Sequence, residues 1–413
     1  MKIIKKMTLF MMPIFLIGCA GYWQSTKTNS ASYAGKETFG ASSRPLAMDV
    51  AVLGYGPVDK DVSKVIRESL SKMGEASSLS RALISADLGC AALQANDLEQ
   101  AKILFDEARL IMSNLSATNQ EVKAATGISG SESSKVFRGE SYERAFFYLN
   151  NGLLYLAEND LDNAQACFKS GVLEDATAQN EANRADWLSI DLLLLEYKRR
   201  KGASLDYGEM ISYIKNRYKA EDLPSGWDSL TDNSLICMVM VGQAPEKIAG
   251  LKKGEELQYR KIDSRVEVIR LIVEPSINVS TSWPVDDCYI QAKTRGKREM
   301  DKILAGKAGA RNTVEGIGSV AALGAPIPFV GPVLMLVREM SMGVSDSIDS
   351  LADRRQMRMV PGRIFFLVGK HVKTGDSICI QALDRSNKVI GEGRIKVDRL
   401  APKGSIVLAR FPY

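Results

Sequence analysis

The stretch Asn96-Asp97-Leu98-Glu99-Gln100-Ala101 recurs further along the chain as Asn159-Asp160-Leu161-Asp162-Asn163-Ala164. An Asn-Asp pair before a leucine favours a tight turn followed by a helix, because the short polar side chains accept hydrogen bonds from nearby backbone N–H groups. Each stretch is therefore expected to join two helices. A helix pair that occurs twice predicts a helical array in the N-terminal half of the chain.

The residues on both sides of each turn have the sizes that closely packed helices require. Gly89 and Gly152 let the first helix of a pair approach the second, and Phe105 and Phe168 fill the space beside them. In these positions the sequence resembles the tetratricopeptide repeat, a helix pair that stacks into solenoids. The matching positions are Leu88, Gly89, Ala101, Phe105 and Ala108 in the first copy, and Tyr148, Gly152, Tyr155, Ala164, Phe168 and Gly171 in the second.

The two copies stand further apart than the usual spacing of about 34 residues, because residues 114–142 intervene. Residues 186–218 are expected to form a third helix pair. Three pairs are close to the minimum for a stable solenoid, so the rest of the chain is expected to cover one end. The concave face would supply the area for a partner, and Tyr148, Asn151 and Tyr155 are candidate groove residues. Packing within the repeat explains the two tyrosines equally.

The sequence changes after Pro224 to short apolar runs separated by turns. Residues 235–241 are expected to form a buried strand, and residues 266–279 one or two strands. Further strands are expected at residues 363–368, 377–383, 389–397 and 405–411. We therefore predict an α+β multidomain chain. In it, a tetratricopeptide-like α-helical solenoid at residues 46–222 precedes a small antiparallel β domain at residues 223–413.

A helical segment is expected inside the β domain, at about residues 292–355. Its residues 316–337 carry no charge over a length that could cross a bilayer, but three prolines would interrupt one continuous helix. Three interpretations stay open. They are two buried helices, an apolar hairpin that inserts into a membrane or a partner's groove, and a nucleotide loop at Gly316 and Gly318, for which no preceding strand is expected.

The N-terminus has the layout of an export signal. Three lysines within residues 1–6 precede an uncharged run, residues 7–17, which is too short to span a bilayer. The run ends in Leu16-Ile17-Gly18-Cys19, which resembles the lipobox of bacterial lipoproteins. The resemblance implies that a signal peptide of residues 1–18 is removed and that Cys19 is acylated, which would attach the chain to a lipid bilayer. The alternative is an ordinary secretory signal or a buried helix with a chance cysteine.

Residues 19–45 are rich in Ser, Thr, Gly and Ala and are expected to form a flexible tether between the lipid and the body. Ala20 and Gly21 follow the lipidated position. Because neither is Asp, the same resemblance implies sorting to the outer membrane. The body would then face the periplasm, anchored in the periplasmic leaflet.

The composition offers little support for catalysis or nucleic-acid binding. The formal net charge is +5, and loss of the three N-terminal lysines would bring it closer to neutral, so nucleic acid is not an expected partner. His371 is the only histidine and the cysteines are scattered, so we expect no metal site and no cofactor. Adjacent carboxylates such as Asp286-Asp287 and Glu255-Glu256 are most simply solvated.

Three further stretches carry a second resemblance. They are residues 135–144 (KVFRGESYER), 242–247 (GQAPEK) and 352–355 (ADRR). They resemble bacterial tetratricopeptide-type lipoproteins with a β-rich C-terminal half. The sequence departs from that family at residues 356–361, where a tryptophan and a Leu-Pro pair are usual. The family looks like companions of lipoprotein activators of penicillin-binding proteins, so the resemblance implies a cell-envelope role and transfers no catalytic residue.

These observations together predict a membrane-anchored, periplasm-facing lipoprotein that is not an enzyme and acts as a scaffold for an envelope protein or peptide. A membrane-active or pore-related protein that uses residues 316–337 is the alternative. An envelope hydrolase that uses carboxylates is the second alternative, since sequence cannot refute two acids placed across a cleft.

Overall fold

The computed structural model of the chain describes residues 46–73, 80–117, 139–176, 181–249, 257–276, 278–294 and 355–411. The expected signal peptide, the lipobox with Cys19, the tether and the apolar residues 316–337 lie outside these ranges. Within them, the chain is a mixed α and β protein.

Eight α-helices occur in the described ranges, and the first seven lie between residues 60 and 217. They are α1 (Lys60–Met73), α2 (Arg81–Gln94), α3 (Leu98–Ala117), α4 (Ser141–Ala157), α5 (Leu161–Asp175), α6 (Leu188–Lys201), α7 (Ser204–Arg217) and α8 (Cys288–Thr294). Short 3-10 turns at Glu181–Asn183 and Ala220–Asp222 flank the α6/α7 pair.

The Asn-Asp turns lie between α2 and α3 and between α4 and α5. Asn96 and Asn159 both adopt a positive φ of 58°, a conformation that asparagine tolerates better than most residues and that ends the first helix of each pair. Asp97 and Asp160 then begin the second helix. The Oδ1 atom of each accepts a hydrogen bond of 3.3 Å from the backbone N–H three residues later.

The strands form two five-stranded sheets and one small ribbon. The outer sheet has the order β1-β11-β10-β6-β7, and the helix-facing sheet has the order β2-β12-β3-β9-β8. The outer sheet comprises β1 (Leu46–Ala47), β11 (Val389–Lys396), β10 (Ser377–Leu383), β6 (Val268–Glu274) and β7 (Asn278–Ser282). The helix-facing sheet comprises β2 (Asp49–Val52), β12 (Ser405–Phe411), β3 (Leu235–Val241), β9 (Arg363–Gly369) and β8 (Pro284–Asp287), and the ribbon pairs β4 (Glu246–Ala249) with β5 (Leu257–Arg260).

The sheets differ in two respects from the expected antiparallel β domain. Most strand pairs are antiparallel, but β12 runs parallel to β3 and β1 runs parallel to β11. Residues 46–52, which we grouped with the helices, form strands β1 and β2 instead. Such short strands have too little alternation to be found by pattern, and their partners lie far away in sequence.

The helix-facing sheet is the middle of three layers. Alternate residues of β3 point to opposite faces, so that Ile236, Met238 and Met240 pack with the helices. Cys237 and Val239 pack against the outer sheet. Covering both faces explains why β3 is apolar throughout. The helices and the β strands thus share a core.

None of the helices within the described ranges combines the length and the apolar character needed to cross a membrane. Of the helical segment expected at about residues 292–355, residues 292–294 belong to α8. Most of that segment falls outside the described ranges.

Candidate functional site

The repeat positions lie at the contact between the two helices of each pair. A Cβ atom added to Gly89 would come within 2.6 Å of the Phe105 ring, and one added to Gly152 within 2.3 Å of the Phe168 ring. Each glycine therefore lets a phenylalanine from the next helix lie directly on its backbone. The small residues of these contacts, Ala101, Ala108 and Ala164, are fully buried.

The candidate groove residues are not on an open surface. Asn151 is 1% exposed and Tyr155 is 8% exposed, while the half-buried Tyr148 packs edge-on against Phe147 at 5.3 Å between ring centroids. The first helices of the pairs share a core with the helix-facing sheet, and Gln94 of α2 donates a hydrogen bond to the backbone carbonyl of Leu408 in β12. The candidate groove residues themselves lie beside neighbouring helices, since Lys102 of α3 is 5.5 Å from the centre of the Tyr155 ring and a Cβ added to Gly171 of α5 would lie 3.5 Å from Tyr148.

A buried ion pair connects the helices to the strands. Nζ of Lys247 lies 2.6 Å from Oε2 of Glu143, and the two side chains are 2% and 0% exposed. Lys247 also donates to the backbone carbonyl of Arg355, and Glu143 accepts from the backbone N–H of Met357. Lys247, from the stretch 242–247, thus contacts Glu143 of the stretch 135–144 and Arg355 of the stretch 352–355. No motif or spacing in the sequence indicates that these residues lie together.

The chain beyond Arg355 is held by a second carboxylate. Asp87 of α2 accepts hydrogen bonds from the backbone N–H groups of Arg358 and Met359, at 3.0 and 2.9 Å. Burial raises the pKa of Asp87 to about 6. Arg410 donates to the carbonyl of Met359 at 2.8 Å. We call the contacts of Glu143, Lys247 and Asp87 with residues 355–359 the buried joint; its closed geometry indicates a structural role.

An open cleft of about 720 Å³ lies between the α6/α7 helix pair and the β8–α8 segment. We call it the acidic cleft because five of its side chains are carboxylic and one is basic. Its lining residues are Glu181, Asp186, Leu188, Tyr213, Asn216, Arg217, Tyr218, Asp222, Pro284, Val285, Asp286, Asp287, Ile290 and Gln291.

Asp286, at the base of the cleft, caps helix α6. Its two carboxylate oxygens accept from the backbone N–H groups of Leu188 and Ser189, at 2.9 and 3.1 Å. These N–H groups have no partner within the helix, and the positive end of the helix dipole favours a negative charge there. Asp286 is only 4% exposed, and burial raises its pKa to about 7. The expectation that Asp286 is solvated was wrong, because β8 carries it beneath the end of α6.

Two more aspartates lie together beside this cap. Oδ2 of Asp175 accepts from the backbone N–H of Asp186 at 2.9 Å. Burial, followed by the neighbouring charge of Asp186, raises the pKa of Asp175 to about 8. Gln291 of α8 donates through Nε2 to Oδ1 of Asp186 at 2.9 Å. The carbonyl oxygen of Gln291 has no hydrogen-bond partner among the described residues, although the residue is only 5% exposed.

Two further polar groups of the wall, Tyr218 and Arg217, are already paired. The hydroxyl of Tyr218 donates to Asp191 at 2.8 Å, and burial raises the pKa of Asp191 to about 6. The guanidinium of Arg217 donates to the backbone carbonyl of Arg184 and lies 5.8 Å from the centre of the Tyr218 ring. Arg217, the basic side chain of the lining that the structure describes, is therefore directed to the wall of the cleft.

The rim of the cleft is partly apolar. Tyr213 and Ile290 line the cleft and are 42% and 51% exposed. Trp283, which directly precedes the lining residue Pro284, is 63% exposed. Large exposed apolar side chains beside a concave polar surface are a feature of protein-binding sites.

Groups suited to metal or thiol chemistry are not found in the ranges that the structure describes. No cluster of His, Cys, Asp and Glu there could hold a metal ion. Cys90, Cys167, Cys237, Cys288 and Cys379 are buried free thiols, and burial raises the pKa of Cys167 to about 12. His371 is exposed in a turn with a φ of 56°.

Comparisons of this chain with protein-family models, with curated proteins and with solved structures find no match.

Proposed function

We propose that this protein is a lipid-anchored, non-catalytic scaffold of the bacterial cell envelope that holds a protein or peptide partner in the acidic cleft. In this proposal, α2 to α7 form a short tetratricopeptide-like solenoid whose inner surface packs on the helix-facing sheet. The acylated Cys19 tethers the body to the periplasmic leaflet of the outer membrane. The lipobox at residues 16–19 and the resemblance of residues 135–144 support this placement.

The observation that carries the proposal is the division between covered and open surfaces. The first helix of each pair shares a core with the helix-facing sheet. The last pair, α6 and α7, also borders an open cleft, with exposed Tyr213 and Ile290 on its rim. A peptide that enters this cleft would bury both apolar side chains and satisfy polar groups of the wall.

A binding role also accounts for Asp286 and Asp186 better than hydrolysis does. Both oxygens of Asp286 accept backbone hydrogen bonds that hold α6, and Asp186 accepts from Gln291. A general acid or base needs a free oxygen that can reach the substrate. These two carboxylates are used to hold the wall of the cleft together.

The proposal is tested by cross-linking in the native host. A photoreactive amino acid replaces Tyr213 on the rim of the cleft, and a matched variant carries it at Leu173, which is 71% exposed on α5. We expect a defined envelope protein to be linked from position 213 and not from position 173. Equal products from both positions, or none from position 213, would contradict the proposal.

A further inference from the structure

We propose that the acidic cleft binds a cationic side chain, the guanidinium or ammonium group of an arginine or lysine on the partner polypeptide. This inference rests on the proposed function and names the chemistry of the contact. It is carried by the acceptor groups of the cleft, by one buried acceptor that has no donor among the described residues, and by the apolar rim.

The cleft presents many hydrogen-bond acceptors and one cation. Five carboxylic side chains line it, those of Glu181, Asp186, Asp222, Asp286 and Asp287. The single arginine, Arg217, already donates to the carbonyl of Arg184. Two of the carboxylates have a cation beside them from outside the lining, Glu181 with Arg184 at 3.6 Å and Asp287 with Lys261 at 3.4 Å. Because carboxylic side chains remain in excess, a cation is the favoured occupant.

Gln291 supplies an independent indication that a donor is missing. Its Nε2 atom donates to Asp186, and because a carboxylate accepts, this bond fixes which end of the amide faces Asp186. The carbonyl oxygen is therefore held as an acceptor, and it has no partner in the part of the chain that the structure describes. Buried acceptors nearly always have a donor. A guanidinium offers five N–H donors and an ammonium three, which suits this acceptor together with the carboxylates around it.

The rim of the cleft explains why the cation would belong to a polypeptide. The stem of an arginine or lysine is aliphatic and packs on apolar surface while its charged end reaches polar groups. Tyr213 and Ile290 offer such a surface, and the tyrosine ring can also attract a cation. A neighbouring part of the same polypeptide can contact Trp283. A small free cation would leave these side chains exposed.

A metal ion is a poorer match than an organic cation. The described residues hold no cluster of side chains able to coordinate a metal, and Asp286 uses both oxygens to cap α6. A guanidinium or ammonium needs only outward-facing acceptors at hydrogen-bonding distance.

The test measures binding of two fluorescent peptides to the full chain in detergent. One is an oligoarginine peptide, and the other has citrulline, which has nearly the same shape without the charge, at every arginine. We expect the arginine peptide to bind at least about tenfold more tightly. Glu181→Gln combined with Asp222→Asn, two exposed positions, is expected to weaken its binding by about five- to tenfold. Glu209→Gln, exposed on α7 outside the cleft, is the matched control and should leave binding unchanged.

Equal binding of the two peptides, or no binding of either, would overturn the inference. So would equal weakening by the cleft variant and the control. Spermidine is added as a competitor to distinguish a free polyamine from a polypeptide. If spermidine displaces the fluorescent arginine peptide at a lower concentration than the unlabelled peptide does, the inference is also overturned. If cross-linking from position 213 captures a partner while the two peptides bind alike, the scaffold function stands and the cationic contact fails.

Discussion

Glu143 and Lys247 form an ion pair of 2.6 Å, from which water is almost fully excluded, at the boundary between the helices and the strands. Because removing one partner leaves the other charge buried, Glu143→Gln or Lys247→Met alone is expected to lower the free energy of unfolding by about 3–5 kcal/mol. The double variant should lose less than the sum of the two. Urea denaturation of all three variants measures this coupling.

The control for this cycle is the pair Lys64 and Glu68, which are 3.9 Å apart and exposed on α1. Its removal is expected to change stability by less than about 1 kcal/mol. Strictly additive effects at Glu143 and Lys247 would contradict a direct interaction between them.

Gly152→Ala is expected to destabilise the protein by about 1–3 kcal/mol, because its Cβ would lie 2.3 Å from the Phe168 ring and the helices would have to separate. Gly208→Ala on α7 is the matched control. Among the described residues, no atom lies within 4 Å of its added Cβ, so higher helix propensity should stabilise the protein by about 0.5–1 kcal/mol. Thermal unfolding of both variants checks the prediction, and equal shifts in Tm would argue against close packing at Gly152.

Stability is expected to fall as the pH rises from about 5 to about 8.5. The folded-state pKa is raised to about 7 for Asp286 and to about 8 for Asp175, whereas an unfolded aspartate titrates near 3.9. Between these values the folded state binds more protons than the unfolded state, so raising the pH favours unfolding. We expect a loss of about 1–3 kcal/mol across this range, measured by urea denaturation.

Asp175→Asn should reduce that pH dependence, because the amide oxygen can still accept from the N–H of Asp186 but carries no charge. The exposed Asp263→Asn serves as its control and should follow the wild-type curve. If Asp175→Asn keeps the full pH dependence, the charge of Asp175 is not its source.

Cys19→Ser is expected to move the protein from the membrane fraction to the soluble periplasmic fraction and to abolish labelling with palmitate. The physical reason is that only the acyl chains would hold the body to the bilayer. A variant that combines Cys19→Ser with Ser25→Cys is the control, since its cysteine lies outside the lipobox and should not restore labelling. Unchanged fractionation of Cys19→Ser would contradict acylation at this position.

Local features could be predicted from the sequence because they depend on neighbouring residues. The mixed α and β character follows from the change in periodicity after Pro224, and β3 and β12 have the bounds expected from their apolar runs. The Asn-Asp turns at Asn96 and Asn159 lie between helices, because the short asparagine side chain suits the left-handed conformation there.

Long-range relations could not be predicted in the same way. The cap that Asp286 places on α6 joins residues far apart in sequence, and the adjacent pair Asp286-Asp287 gives no local sign that one member is buried. The parallel pairing of β12 with β3 could not be predicted either. The periodicity of apolar residues indicates which face of a strand is buried but not which strand lies beside it. The acidic cleft depends on such relations and was therefore missed.

The position of β12 also constrains the order in which the protein can fold. This strand lies between β2 and β3, so its Val407 pairs with both Val52 and Cys237. Contacts between such distant residues form slowly, because the chain must lose the conformational entropy of a long loop before the contact adds any stability. The middle layer therefore stays incomplete until β12 pairs, and before that β2 has no partner in its sheet and β3 has one open edge.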